Sequence, residues 1–260
     1  MITIKNYKTN EVIIQAKTLK AIVWQDHDFS YADLSGLDLS NLDLSNANLK
    51  WANLNDANCK RTNFKWTKLN NANCKRTDFK WATLDCTDCE DANFTEATLN
   101  YASCISAKFT RANLNKASCT DADFTRALLE HANCTGTNFK WATLNNANCT
   151  DANFTEATLN NANCLAADFT WATLNNANCI GANFTRALLE HANCTEADFK
   201  WATLNNANCL TANFTEATLT NANCLAANFT EATLNNANCT DANLTNAILP
   251  TDFNPTEETD

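Results

Sequence analysis

The side chains with chemistry to offer are 14 cysteines, three histidines, seven tryptophans and 29 carboxylates among 260 residues. Thirteen of the cysteines stand 15 residues apart, from Cys59 through Cys74, Cys89 and Cys104 to Cys239. Thiols at regular spacing can hold a soft metal, form disulfides or run thiol exchange, and Cys86-Thr87-Asp88-Cys89 spells the C-x-x-C of zinc and redox sites. His131 and Asp151 offer an imidazole and a carboxylate for proton transfer. Six tryptophans, Trp81, Trp141, Trp171 and Trp201 among them, each directly follow a lysine or threonine, and exposed aromatics anchor partners. Which of these chemistries is available depends on the elements that carry the residues.

Those elements follow from one repeat. An apolar residue stands at every fifth position from Leu34 through Leu39, Leu44, Leu49, Leu54, Cys59 and Phe64 to Leu249. Two residues before it sits a small residue, usually alanine (Ala47, Ala52, Ala57), with Asn, Asp, Thr or Ser between. In an α-helix a five-residue step would spray the apolar residues round the axis. In a continuous strand successive ones would alternate between faces. The pattern needs a short extended piece and a turn in every unit, with alanine and the large apolar residue inward and the polar residue outward. A chain that turns the same way at each unit winds into a β-solenoid.

Segments such as Ala92-Asn93-Phe94-Thr95-Glu96 and Ala47-Asn48-Leu49-Lys50-Trp51 resemble the A-[D/N]-[L/F]-x-x motif of the pentapeptide-repeat family, from about Phe29 to Leu249. The resemblance implies an all-β fold, a right-handed quadrilateral parallel β-helix with four units per coil. About eleven such coils, at roughly 4.8 Å per layer, make a rod of about 53 Å. Around it, residues 1–23 are expected to form a capping hairpin, from Ile2-Thr3-Ile4 and Val12-Ile13-Ile14-Gln15. Residues 24–249 form the β-helix. Residues 250–260 form a tail in which Pro250 stops the ladder, Phe253 plugs the last coil and the remainder is disordered.

The repeat settles the cysteine chemistry. Inward slots cycle Phe-Leu-Cys, as in Phe94, Leu99, Cys104, Phe109, Leu114 and Cys119. A three-slot cycle on a four-slot coil shifts by one step per coil, so each face reads Phe, Leu, Cys in turn and two phenylalanines never stack directly along a face. Cysteines on one face lie three coils apart, about 14 Å by the layer spacing, too far for a disulfide. They are read as small buried hydrophobes. Cys89 points in and Cys86 out, so the C-x-x-C thiols diverge. No metal, cofactor or catalytic residue is expected.

Outward residues sort into columns, residue n lying under n + 20. One column holds Arg61, Trp81, Tyr101, Trp141 and Trp201, where a cation and aromatics can stack. A second holds His131, Asp151, Trp171 and His191. His131 beside Asp151 reads as a surface ion pair on a segment that recurs 60 residues later. These nine residues are the candidate partner surface. Asn53, Asn73, Asn93, Asn113, Asn133 and Asn153 form a vertical amide ladder of structural character.

Composition narrows function. Charged residues make up 18%, and only three glycines and two prolines are present, so no glycine-rich phosphate loop can be written. No run of 18 apolar residues occurs and the first residues lack a signal-peptide core, from which a cytoplasmic, membrane-free protein is expected. Residues 1–130 hold 16 cations and 16 anions, residues 131–260 three and 13, so the net charge of −10 resides in the second half. That half repels nucleic acid, and direct nucleic-acid binding is not expected. A filled rod offers no deep pocket, which argues against an enzyme. The favoured reading is a rigid protein-interaction scaffold with a protein partner. Some pentapeptide-repeat proteins, the Qnr-type quinolone-resistance proteins among them, mimic B-DNA and bind gyrase. The acidic half suits that alternative, whereas the cations of the first half and the lack of projecting loops do not. A structural rod without a dedicated partner is the third reading.

Overall fold

Every five-residue unit closes with the same turn. In one of them the Ala52 N–H donates to the Leu49 carbonyl at 3.0 Å, and the residue before it, Trp51, has φ 56°. A bond from the fourth residue back to the first, with the third left-handed, is the type II turn. It recurs at every fifth residue from Tyr31 to Asn246, and all three glycines, Gly36, Gly136 and Gly181, stand at its left-handed position. In the computed structural model, which describes residues 1–251 and 253, the extended pieces between turns pair in parallel with those 20 residues on, from Asp28 with Asn48 to Asn228 with Ile248. Four turns per 20 residues give four faces. The ladder runs both ways along the rod: the Leu34 N–H donates up to Asn53 and the Asn53 N–H down to Ala32, both at 2.8 Å.

The inward slots are filled as the pattern requires: Phe94, Leu99, Cys104, Phe109, Leu114 and Cys119 are all fully buried. Where threonine replaces the small alanine, its hydroxyl is satisfied inside. Thr62 donates to the Leu39 carbonyl and Thr87 to that of Phe64, each at 2.7 Å. One consequence of the three-on-four cycle escaped the sequence reading. Phenylalanines avoid each other along a face but meet diagonally, residue n touching n + 15 on the neighbouring face one coil up. From Phe64 to Phe229 the ring centroids are 5.3–5.7 Å apart at every step. The core is wound by a continuous aromatic staircase, in the edge-on and tilted contacts that ring quadrupoles favour. Consecutive cysteines share this diagonal relation, and all 14 are free thiols.

At the N-terminal end β1 (Ile2–Lys5) and β2 (Val12–Ala16) pair antiparallel with Ile2 opposite Ala16. The chain leaving β1 goes on to pair with the first coil, Asn6 opposite Ala32, and the Asp33 N–H donates to the Lys5 carbonyl at 2.8 Å. Trp24, 2% exposed, closes the core beneath Phe29 with centroids 4.5 Å apart. At the other end Pro250 is buried and Phe253 packs, half-buried, against the last apolar slots, while Cys239, Leu244 and Leu249 are only partly covered. The expected disorder of the rest of the tail lies outside the described residues.

The lowest coil differs chemically from those above it. Its four outward ladder positions are all aspartate (Asp28, Asp33, Asp38, Asp43) and those of the next coil all asparagine. Each asparagine Nδ2 donates down to the aspartate Oδ1 at 2.8–3.1 Å. An amide ladder whose N–H groups point one way ends best on a group that only accepts. The Ser40 side chain and amide help hold the Asp38 carboxyl below the usual carboxylate range.

Candidate functional site

With the core closed, chemistry is confined to the four corners of the rod, where each turn presents one left-handed residue. The fold stacks those residues 20 apart, about 4.8 Å from one to the next, and the columns inferred from sequence become physical contacts.

The first corner carries the aromatic ladder. The Arg61 guanidinium lies 4.8 Å from the Trp81 ring, and Trp81 stacks on Tyr101 with centroids 5.9 Å apart and 19° between planes. Lys80 Nζ, which the sequence reading left out, sits 4.3 Å from Trp81 and 5.8 Å from Tyr101. Trp81 is thus flanked by its neighbours and remains 42% exposed. Trp141 and Trp201 are 51% and 63% exposed, with short side chains or glycine in the neighbouring coils, Gly181 lying directly beneath Trp201. Lys140 Nζ rests 4.2 Å from the Trp141 ring.

The diagonally opposite corner holds the second column. His131 Nδ1 is 3.9 Å from Asp151 Oδ2, beyond hydrogen-bond reach, and both side chains are about half exposed. The two form a loose surface contact. Trp171 stacks on His191 at 3.9 Å and 15°, and the Thr211 hydroxyl lies 2.6 Å from His191 Nδ1. Lower on the same corner the Arg111 guanidinium grips Asp91 with two bonds of 2.8 and 2.9 Å, which holds the Asp91 carboxyl below its usual range. Arg76 does the same to Asp56 on a third corner, at 2.7 Å twice.

A further aromatic cluster was missed. Tyr31 stacks on Trp51 at 5.2 Å and 6°, Lys8 lies over Tyr31 at 4.2 Å, and the Tyr7 hydroxyl donates to the Trp51 carbonyl at 2.9 Å. It fastens the hairpin to the rod. Tyr31 and Trp51 share a column 20 apart, the one signal that could have found it; the hairpin's part is invisible without the fold.

Cys86 is exposed and Cys89 buried, so the two thiols of the C-x-x-C do diverge. Burial pushes the core thiols up from their ordinary value near 9; Cys224 is pushed to about 12, and Cys239, near the open end, to about 11. Among the described residues no three His, Cys, Asp or Glu side chains gather as a metal site. Among the described residues no helix is long and apolar enough to cross a membrane. An open groove of about 390 Å³ lies between the cap and the first coil, beside Leu19, Lys20 and Leu42.

Comparison with known proteins agrees with this geometry. The family model described as pentapeptide repeats matches eight times between residues 32 and 249, with only residues 164–166 unmatched. Among solved structures, HetL, a pentapeptide repeat protein involved in heterocyst differentiation regulation from the cyanobacterium Nostoc sp. strain PCC 7120, is 26% identical. The match covers 85% of this chain and 90% of HetL, with a TM-score of 0.37. QnrB1, a plasmid-mediated fluoroquinolone resistance protein, is 16% identical over 71% of this chain and 92% of its own, with a TM-score of 0.31. Rfr23, from the cyanobacterium Cyanothece 51142, is 29% identical over 37% of this chain and 63% of its own, with a TM-score of 0.21. No curated protein matches the chain. With the five-residue turn, the 20-residue ladder and the repeat matches all in place, this chain belongs to the pentapeptide-repeat family and has its quadrilateral β-helix.

Proposed function

We propose that this protein is a non-catalytic scaffold that binds a protein partner along its aromatic corner, with Trp141 and Trp201 as anchors and Trp81 and Tyr101 extending the line. One observation carries the reading: two tryptophans more than half exposed stand on the same corner, three coils apart, on a backbone fixed by ladder bonds above and below. Large aromatics presented rigidly lose little freedom on binding, and such residues dominate interface energetics. The opposite corner is a weaker candidate, because it offers a single tryptophan more than half exposed, Trp171 at 56%. The reading sets the protein in the cytoplasm, where the exposed thiol of Cys86 stays reduced.

The test is a quantitative pull-down from host lysate with the wild type and the Trp81/Trp141/Trp201→Ala variant. The expected result is a partner held by the wild type and lost, by at least about tenfold, with the variant. Equal capture by both overturns the aromatic corner as the binding face. Gyrase captured equally by both would replace the reading with DNA mimicry.

A further inference from the structure

The fold sorts charge across the rod as well as along it. Around one coil the corners follow in order: the corner of Lys140 and Lys200, then that of Arg186, then that of Glu190, then that of Glu156 and Glu216. In the second half all three cations, Lys140, Arg186 and Lys200, fall on the two corners that bound one face, where Asp241 is the one acid of that half among the described residues. Six acids, Asp151, Glu156, Glu190, Glu196, Glu216 and Glu231, fall on the two corners that bound the opposite face, which has no cation in that half. In the first half opposite charges share a corner and pair within the molecule, as Arg76 does with Asp56 and Arg111 with Asp91. In the second half only Lys200 finds an acid within the molecule, Asp198 at 3.6 Å, and among the described residues Lys140 and Arg186 are left without an ion-pair partner.

Both sides keep the same pitch. Lys80, Lys140 and Lys200 recur every 60 residues, which is three coils; so do Glu96, Glu156 and Glu216 on the other side. The pairs Arg126/Arg186 and Glu130/Glu190 recur at that interval too. A copy shifted sideways without rotation sets its basic face against this acidic face, lysine corner against Glu156 corner and arginine corner against Glu190 corner. Glu156 lies 16 residues beyond Lys140, about 4 Å higher on the rod, and Glu190 four residues beyond Arg186, about 1 Å higher. Both offsets are within reach of long side chains, and one translation serves all the pairs together. Face-to-face contacts of two identical sides would instead oppose like charges.

We propose that a second copy of this chain docks side by side and parallel, basic face on acidic face. The contact is heterologous and does not close, so it extends into rows of rods. Exposed pairs of this kind are individually weak and salt-screened, so the association rests on several acting over one rigid face. It does not depend on a foreign partner for the tryptophans, and its test leaves every aromatic in place.

The experiment is sedimentation velocity over a concentration series at about 10 mM and about 1 M salt, where the Debye length falls from about 30 to about 3 Å. The expected result is concentration-dependent growth in mass at low salt and a monomer at high salt. The Lys140/Arg186/Lys200→Glu variant has two acidic sides and the Glu156/Glu190/Glu216→Lys variant two basic ones. Each, shown folded by circular dichroism, should be monomeric alone, and their mixture should associate at least about tenfold more strongly than either. A wild type that stays monomeric at low salt overturns the proposal, whether or not it is retained on an immobilised polyanion. So does association that survives both charge reversals, or folded variants that fail to combine.

Discussion

The cysteines show how one residue type takes two characters from its place in a five-residue unit. Twelve thiols are fully enclosed, whereas Cys86 occupies a turn and is exposed. Burial in an apolar wall disfavours the thiolate, so the enclosed thiols stay protonated in the folded rod well above their ordinary value near 9. In the unfolded chain they ionise near that value. The folded state therefore binds more protons above about pH 9; stability is full below it and declines as pH rises. Each enclosed thiol contributes a slope of about 1.4 kcal/mol per pH unit until its own folded value is reached. Urea denaturation at stepped pH should show a midpoint that is flat from neutrality to about pH 9 and then falls steeply. A midpoint unchanged through pH 10 would place the thiols in water. In the native protein at neutral pH, a thiol reagent should label Cys86 and leave Cys104 and Cys119 untouched.

At the scale of the element, the turn is the unit of construction, and it asks for left-handed backbone where glycine is almost absent. Tryptophan, arginine, histidine and even β-branched Thr211 adopt φ near +56° because the bonds of each turn to the coils above and below over-determine it. Glycine at this position relieves strain, and local crowding decides how much a side chain costs. A Cβ at Gly36 meets nothing within 4 Å, whereas one at Gly181 would lie 2.7 Å from Asn161 Oδ1. Gly36→Ala should cost about 1 kcal/mol from backbone strain alone. Gly181→Ala should cost more, and the excess should vanish in an Asn161→Ala background. Thermal denaturation of the four variants measures it; equal costs at the two glycines would show that the Asn161 side chain moves aside freely.

At the scale of the molecule, coils touch only their neighbours, so stability is a one-dimensional sum and the ends behave differently from the middle. The N-terminal end is sealed by Trp24 and by the Tyr7–Tyr31–Trp51 cluster, and the far end is covered only in part. Trp24→Ala should remove about 3–5 kcal/mol of local packing. The loss should stay local: hydrogen exchange should accelerate at the amides of Leu34 and Leu39 and remain unchanged at Leu144. Uniform acceleration along the rod would mean that it unfolds as one cooperative block.

The sequence by itself determined the repeat. A five-residue period with alanine two residues before each large apolar residue leaves one way to bury both, so the inward set from Leu34 to Leu249, buried cysteines included, could be read from spacing, whereas the columns of stacked residues rested on the four-unit coil that the family resemblance implied. What depends on diagonal and opposite neighbours could not be read, because a period states which residues share a face and is silent on which faces meet. The staircase from Phe64 to Phe229 needed the 15-residue step to be seen as one coil up and one face back. The lock of Tyr7 onto Tyr31 and Trp51 needed the path of the hairpin. The acids of the second half look like a simple surplus along the chain, and only closure of the coil on four corners placed Glu156 and Glu190 across the rod from Lys140 and Arg186. Linear sequence fixes the order of charges, whereas the distance between them, on which electrostatic energy depends, is set by the winding.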